Sequence, residues 1–197
     1  MSRTLLIIHF GDQMCTQRAT CVQSAIDTYN GFLPQYITDN NVEAWMESLL
    51  LRLGLAQEPR IWDRTTLMGR VLSSDWLRAY ILSVQPCTLY TDTDVLHLKR
   101  FEFDDFSRIP YIMGVPADSA MMYSASACEY WANLINEKVR RQDWGNPQDA
   151  MNGDDGIPVT REYFRHYGAS ENHHLAEDKH WWDKQQTGGH NGNQLHK

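Results

Sequence analysis

Residues 73–99 read SSDWLRAYILSVQPCTLYTDTDVLHLK, and they predict a helix followed directly by a buried strand. The apolar residues of the helix recur at helical spacing, at Leu77, Tyr80, Ile81 and Val84. Pro86 lies just beyond the helix, and residues 88–90 form a short strand that leads to Asp92 and Asp94. Carboxylates at the end of a buried strand are costly unless they are satisfied. They therefore belong either to an ordinary turn or to a cation site.

Two charged residues lie on the predicted helix. Ser73 or Ser74 is expected to cap the helix, which places Asp75 and Arg78 close to its start. Residues three apart on a helix are neighbours, so Asp75 and Arg78 should lie side by side, away from the apolar face. A surface ion pair of this kind contributes about 0–1 kcal/mol and needs no function. The alternative is a pair directed at a polar ligand beside a bound cation.

The chain before this stretch alternates between strands and helices. Residues 4–10 and 32–38 are predicted strands, and residues 15–29 and 42–53 are predicted helices with one apolar stripe each. This order, with short turns, predicts an α/β fold whose mostly parallel sheet is flanked by helices.

Parallel sheets of this kind bind ligands beyond the carboxyl ends of their strands. The loops after Phe10, Thr38 and Tyr90 are therefore expected to lie at one edge of the sheet.

Further elements are predicted after Gly54. Residues 58–63 suggest a short strand, and residues 111–115 and 119–123 suggest two more around a turn at 116–118. Residues 126–141 predict a helix with its apolar side formed by Trp131, Leu134, Ile135 and Val139.

The composition changes near the end of the predicted helix. We expect a core of residues 1–142 and a C-terminal segment, 143–197, which is partly ordered, contributes to or covers the site, and ends as an irregular tail rich in turn-forming residues.

The overall composition limits the class of protein. The 197 residues are 42% hydrophobic with a net charge of −7, which fits a globular domain and disfavours a broad surface for polyanions. No apolar run reaches about 18 residues, so no membrane span is expected. The N-terminus lacks a secretory pattern, and the four cysteines show no CxxC spacing. We therefore expect free thiols and a cytoplasmic location.

Asp92 and Asp94 are one residue apart, so on a regular strand both would point to the same side. Two adjacent carboxylates repel each other unless one is protonated or a cation lies between them. Mg²⁺ and Mn²⁺ accept carboxylate oxygens and keep positions for water and substrate phosphates. The pair is therefore a candidate site for Mg²⁺ or Mn²⁺.

The order S-D-x-x-R followed by D-x-D in residues 73–99 resembles the sugar-binding region of DxD glycosyltransferases. This group contains yeast-type initiating mannosyltransferases, capsule glycosyltransferases and large clostridial toxin glucosyltransferases. The resemblance extends roughly over residues 4–140 but is specific only over residues 73–99. It implies a GT-A (Rossmann-like) fold, a nucleotide-sugar donor, a divalent metal ion and transfer with retention of anomeric configuration.

The resemblance also implies roles for the motif residues. Asp94 would be the main metal ligand and would bridge the metal to the diphosphate. Asp92 would contact the ribose or sugar and approach the metal. Asp75 and Arg78 would hold hydroxyls of the transferred sugar, and Ser74, the serine of the motif, would contact the donor.

Other donor and metal contacts are implied by position alone. His9, Phe10 and Gly11, at the end of the first strand, would lie near the base and ribose. Relatives commonly take a third metal ligand from their C-terminal part, where His180 is favoured over His173 and His174.

The sequence departs from the family pattern just before the strand. A Gly-Gly pair is replaced by QPCT, residues 85–88, and the spacing from Arg78 to Asp92 is about one residue longer. Glycine allows the backbone to approach its neighbours closely, so in this chain residues 85–88 must bring the helix and the strand together in another way.

The leading hypothesis is a metal-dependent glycosyltransferase whose acceptor is a glycan, a protein, a small molecule or a modified nucleobase. One alternative is a degenerate glycosyltransferase fold that only binds its ligand. Another is a metal-dependent nucleotidyl or phosphoryl transferase. No catalytic base is assigned, and Asp104 and Asp105, the nearest other carboxylates, are interpreted as part of a solvated loop.

Overall fold

The computed structural model describes residues 2–11, 13–97, 100–103, 105–106, 111–113, 121–126 and 128–147. Its elements are β1 (Arg3–His9), α1 (Thr16–Thr28), β2 (Phe32–Thr38), α2 (Glu43–Leu53), a 3-10 helix (Arg60–Trp62), α3 (Leu67–Val84), β3 (Thr88–Thr91), β4 (Tyr111–Met113), β5 (Met121–Ser124) and α4 (Cys128–Arg141). The predicted strands and helices before Gly54 are confirmed almost to the residue.

The strands form one sheet in the order β2-β1-β3-β5-β4. β1 pairs in parallel with both β2 and β3, whereas β5 is antiparallel to both β3 and β4. Four strands therefore run in one direction and β5 runs in the other. The predicted mostly parallel α/β sheet is confirmed.

Both faces of the sheet are buried because alternate residues of β1 point to opposite sides. Leu6 and Ile8 belong to a core cluster that also contains residues of α2, α3 and α4. Leu5 and Ile7 belong to a second cluster that contains Val22 of α1. The sheet is thus covered by α1 on one face and by the other helices on the opposite face.

The start of α3 differs from the prediction. The helix begins at Leu67, and the hydroxyl of Thr66 accepts a hydrogen bond from the Gly69 N–H at 3.0 Å. Ser73 is completely buried inside the helix and donates to the Trp62 carbonyl at 3.1 Å. The predicted cap at Ser73 or Ser74 is therefore wrong, because the helix extends about two turns upstream of these serines.

The predicted strand at 58–63 is also wrong. The chain forms a 3-10 helix at Arg60–Trp62 instead, and the Trp62 ring packs on Trp76 of α3 with centroids 5.2 Å apart. The packing of Trp62 on α3, together with the bond from Ser73 to the Trp62 carbonyl, holds these residues against the helix.

The later predictions are confirmed as elements with shifted bounds. β4 and β5 lie within or close to the two predicted strands, and α4 ends at Arg141 as expected. The predicted turn at 116–118 lies outside the described residues, as does the tail after residue 147. Among the helices that the structure describes, none is long and apolar enough to cross a membrane.

The chain continues to pack on the core after α4. The indole N–H of Trp62 donates to the Trp144 carbonyl at 2.9 Å, and that of Trp76 donates to the Gly145 carbonyl at 2.8 Å. Residues 144–145 are therefore attached to α3. The division of the chain at 142/143 stays a prediction.

Candidate functional site

The carboxyl ends of β1, β2 and β3 lie at one edge of the sheet, which we call the carboxyl edge. The Gly11 N–H, just after β1, donates to Asp39 Oδ2, just after β2, at 2.7 Å. Tyr90 of β3 pairs with Leu6 of β1, so Asp92 follows at the same edge. The prediction that these three loops share an edge is confirmed.

Arg78 links α3 to the carboxyl edge through two carboxylates. Its Nη2 lies 2.5 Å from Asp75 Oδ1, and its Nη1 lies 3.2 Å from Asp92 Oδ1. Asp75 and Arg78 are each only 5% exposed. The interpretation of this pair as a surface ion pair near the helix start is therefore wrong, since the pair is buried in the middle of α3.

Tyr90 completes this network. Its hydroxyl donates to Asp92 Oδ1 at 2.5 Å and accepts from Arg78 Nη1 at 3.2 Å. The Tyr90 ring also lies 5.0 Å from the guanidinium carbon of Arg78, within the range of a cation–π contact. The contacts with Arg78 show that Tyr90 and Asp92 both reach the α3 side.

Burial and neighbouring charges together set the protonation states of Arg78 and Tyr90. Burial acts to lower the pKa of Arg78, but Asp75, Tyr90 and Asp92 together raise it above its ordinary value. Burial, followed by the charge of Asp92, raises the pKa of Tyr90 well above 10. Arg78 therefore stays a cation and Tyr90 stays a neutral donor, and their contacts hold the Asp92 side chain in one orientation.

Asp94 is approached from the other face of the sheet. It lies in the turn after β3, where Arg18 Nη2 of α1 is 4.0 Å from Asp94 Oδ2. Because β3 ends at Thr91, the expected alternation along a strand does not apply to the two aspartates. Asp92 contacts an arginine of α3, whereas Asp94 lies near an arginine of α1.

The chemistry of these side chains fits a hard divalent cation. Asp92 and Asp94 provide carboxylate oxygens from one turn, and one or two carboxylates with substrate phosphates form the usual protein set for Mg²⁺. No group of three or more His, Cys, Asp or Glu is found in the part of the chain that the structure describes. His180 lies outside that part, as do His173 and His174, so a third protein ligand stays a prediction.

The residues expected near the base and ribose lie at the end of β1. His9 and Phe10 are partly buried, and Phe10 packs against the core cluster on the α3 side. Gly11 has a φ of 101°, and a Cβ at this position would collide with the guanidinium of Arg70. Glycine is therefore favoured here by the backbone conformation, and the Arg70 guanidinium packs directly over it. Ser74 is partly buried one turn before Arg78.

A cleft of about 530 Å³ opens beside Gly11. It is lined by Asp39, Glu58, Asp63, Arg64, Thr65 and Arg70. Asp39 directly follows β2 and bonds to Gly11 after β1, so the cleft lies at the ends of these two strands.

Sequence reasoning missed four of the residues at this edge: Arg18, Asp39, Arg70 and Tyr90. Arg18 and Arg70 each lie in the first turns of a helix that begins at the carboxyl edge. The order of the elements therefore indicated that Arg18 and Arg70 lie near the carboxyl edge. Asp39 could have been found in the same way, because it directly follows the second strand.

Asp105 lies away from this edge. Its Oδ2 is 2.8 Å from Arg3 Nη2 at the start of β1, and its Oδ1 accepts from the Tyr123 hydroxyl. Burial acts to raise the pKa of Asp105, but these hydrogen bonds lower it below the ordinary value. Asp105 thus lies in a turn, as expected, but it is partly buried and paired with Arg3 and Tyr123, and Asp104 lies outside the described residues.

The QPCT segment contains an unusual backbone conformation. Cys87 is buried and has a φ of 54°, in the left-handed region that glycine adopts readily. The chain thus makes this turn with a cysteine in place of glycine. Cys15 and Cys21 carry free thiols, as expected.

No protein-family model matches the chain, and no curated protein matches it. Among solved structures, the chain is similar to one described as "PaToxG Glycosyltransferase", with a TM-score of 0.52 and 11% identity. The similarity covers 90% of this chain and 80% of that chain. At this identity the comparison shows the fold alone, and it confirms the predicted GT-A-like class.

Proposed function

We propose that this protein is a metal-dependent glycosyltransferase that moves a sugar from a nucleotide-sugar donor to an acceptor, with retention. The observation that carries the proposal is the buried network of Asp75, Arg78 and Asp92, which fixes a carboxylate at the carboxyl edge next to Asp94. The fold shared with a solved glycosyltransferase supports it.

Asp92 and Asp94 would hold the Mn²⁺ or Mg²⁺ ion. When bound there, the cation would neutralise negative charge that develops on the leaving diphosphate. Arg18, 4.0 Å from Asp94, provides a second cation at the same position. A protein with a net charge of −7 needs such local cations to bind a diphosphate.

Arg78 acts as a positioning residue in this proposal. It holds Asp92, while Asp75 holds Arg78, and each contact is a charge-assisted hydrogen bond. Direct contact of Asp75 and Arg78 with sugar hydroxyls stays a prediction, because both side chains are almost fully buried. Ser74 lies closer to the surface on the same helix and is the better candidate for a donor contact.

The donor would extend from Asp94 along the carboxyl edge, with its base and ribose near His9, Phe10 and Gly11. The acceptor is a glycan, a protein, a small molecule or a modified nucleobase. Residues 143–197 would contribute to or cover the site, and His180 would supply a third metal ligand. No side chain is assigned as a catalytic base.

A screen of nucleotide sugars tests the proposal. The full chain is incubated with Mn²⁺ and a panel of UDP-, GDP- and other nucleotide sugars, and the released nucleotide is measured. We expect release from at least one donor, and its loss when Mn²⁺ is chelated. Tight binding without release or transfer would instead indicate a binding module.

The products separate glycosyl transfer from nucleotidyl or phosphoryl transfer. A glycosyltransferase releases a nucleoside diphosphate from the nucleotide sugar, whereas a nucleotidyl transferase releases the sugar 1-phosphate. Asp75→Ala should lower either activity, because Asp75 holds Arg78 and hence the proposed metal ligand Asp92.

A further inference from the structure

The cleft beside Gly11 contains both acidic and basic side chains. At about 530 Å³ it has the size of a small-ligand site. It lies at the end of the carboxyl edge where the base of the donor is expected in the proposed function.

Most charged side chains of the cleft are already bonded to other groups of the protein. Both carboxylate oxygens of Glu58 accept from Arg64 at 2.9 Å, and Arg64 also pairs with Glu43 at 2.7 Å. Asp63 Oδ1 accepts from the backbone and hydroxyl of Thr65 at 3.0 and 2.7 Å. These contacts form the walls of the cleft.

Asp39 and Arg70 differ from the other charged groups because both are placed against Gly11. Among the residues that the structure describes, Asp39 accepts one hydrogen bond, from the Gly11 N–H to Oδ2, although a carboxylate has about four acceptor positions. Arg70 uses Nε for the Arg64 carbonyl at 2.8 Å, and its guanidinium packs over Gly11. One acceptor-only group and one donor-only group therefore both lie next to Gly11.

The hydrogen-bond chemistry of this pair matches guanine. Guanine presents two adjacent donors, at N1 and the 2-amino group, beside two adjacent acceptors, at O6 and N7. A carboxylate accepts both donors, and an arginine fork binds both acceptors. Uracil offers a single N–H between two carbonyl oxygens, one of which would face the carboxylate.

We propose that the cleft is the base-binding part of the donor site and that Asp39 and Arg70 select guanine, so that the donor is a GDP-sugar. Asp39 would accept from N1 and the 2-amino group, and Arg70 would donate to O6 and N7. This inference rests on the proposed function and adds the identity of the base to it.

Titration calorimetry of the full chain with GDP, UDP, ADP and CDP, at fixed Mn²⁺, tests the inference. We expect GDP to bind about tenfold or more tightly than the other three, since a bidentate contact discriminates on this scale. Arg70→Lys keeps the charge but loses the fork, so it should weaken GDP binding and leave UDP binding unchanged.

The Asp39→Asn variant tests whether Asp39 itself recognises the donors of guanine. The asparagine carbonyl can still accept from Gly11, but its amide donates where guanine also donates. GDP affinity should fall about tenfold or more, while xanthosine diphosphate, with a carbonyl at C2, should gain affinity over the wild type. Asp27→Asn, an equal charge change on the exposed side of α1, should leave both affinities unchanged.

The outcomes separate the two proposals. Equal affinity for all four nucleotides, a preference for UDP, or a GDP preference that survives Asp39→Asn would overturn the assignment of guanine and leave glycosyl transfer standing. If the wild-type protein binds no nucleoside diphosphate, the proposed function is overturned together with this inference.

Discussion

Arg78 lies between two carboxylates in a part of the protein that excludes water, 2.5 Å from Asp75 and 3.2 Å from Asp92. Arg78→Gln would leave both carboxylates without their cation, and breaking a buried pair costs about 3–5 kcal/mol. Arg78→Lys keeps the charge but cannot bridge both carboxylates and Tyr90 in the same way. We therefore expect Arg78→Lys to fold and to lower kcat far more than it raises KM.

Urea denaturation measures the loss of stability in Arg78→Gln, and nucleotide release measures kcat and KM of Arg78→Lys. Arg52→Lys is the control, because Arg52 lies on the exposed surface and contacts only Asn136 among the described residues. An Arg78→Gln variant as stable as the wild type would contradict the role assigned to the network.

Cys87 pairs a buried side chain with a left-handed backbone. A Cβ in this conformation costs about 1–2 kcal/mol, whereas glycine normally costs about 0.5–1 kcal/mol relative to alanine through entropy. Cys87→Gly should therefore be more stable than Cys87→Ala, which reverses the usual order.

Urea denaturation of both variants checks this prediction. The matched control is Cys21, a buried cysteine within α1, where the alanine variant should be the more stable of the two. If alanine is also favoured at position 87, the turn does not depend on a left-handed residue.

At the scale of elements, His97 joins α1 to the turn after β3. The ring Nε2 of His97 lies 2.9 Å from Thr91 Oγ1, and the ring contacts Tyr29 edge-on, with centroids 5.4 Å apart. The backbone N–H of His97 donates to Ser24 Oγ at 2.9 Å. Burial lowers the pKa of His97 to about 4. The folded protein therefore holds this histidine neutral.

The sign of the pH dependence follows from this lowered pKa. Below the ordinary histidine pKa of about 6.5, His97 is protonated in the unfolded chain but stays neutral in the folded chain. The free energy of unfolding therefore falls as the pH decreases toward 4. Between pH 6.5 and 5 the loss is roughly 2 kcal/mol at about 1.4 kcal/mol per pH unit. His97→Gln should remove this part of the slope.

Urea denaturation of the wild type and His97→Gln at several pH values between 7.5 and 5 measures the difference. Parallel stability curves for the two proteins would show that His97 does not titrate with folding.

The start of α3 shows why element bounds were only partly predictable. The apolar pattern after Ser74 is helical, but the residues before it are fixed by tertiary contacts, including the bond from Ser73 to the Trp62 carbonyl. The strands before Gly54, by contrast, were predicted well, because the continuous apolar run of β1 directly reflects its burial on both faces of the sheet.

At the scale of the whole molecule, the sequence predicted the fold class and the edge that carries the candidate site. Parallel strands place their carboxyl ends together, so the loop positions followed from the order of elements. The approach of Arg18 to Asp94 and of Arg70 to Gly11 depends on how each helix crosses the sheet, which short-range patterns do not determine.

The burial of Asp75 and Arg78 could not be predicted for a related reason. Their spacing on a helix fits a surface pair as well as a buried one. Only the packing of α3 against the sheet, with Tyr90 and Asp92 opposite, identifies the pair as part of an internal network.

The most direct test of the central claim is the rate of nucleotide release from the preferred nucleotide sugar by Asp94→Asn at saturating Mn²⁺. Circular dichroism confirms folding, and Asp27→Asn is the control for the change in charge. We predict a loss of about a hundredfold or more, because the variant removes the carboxylate assigned to hold the metal at the diphosphate. A folded Asp94→Asn protein with the full wild-type rate would contradict the account.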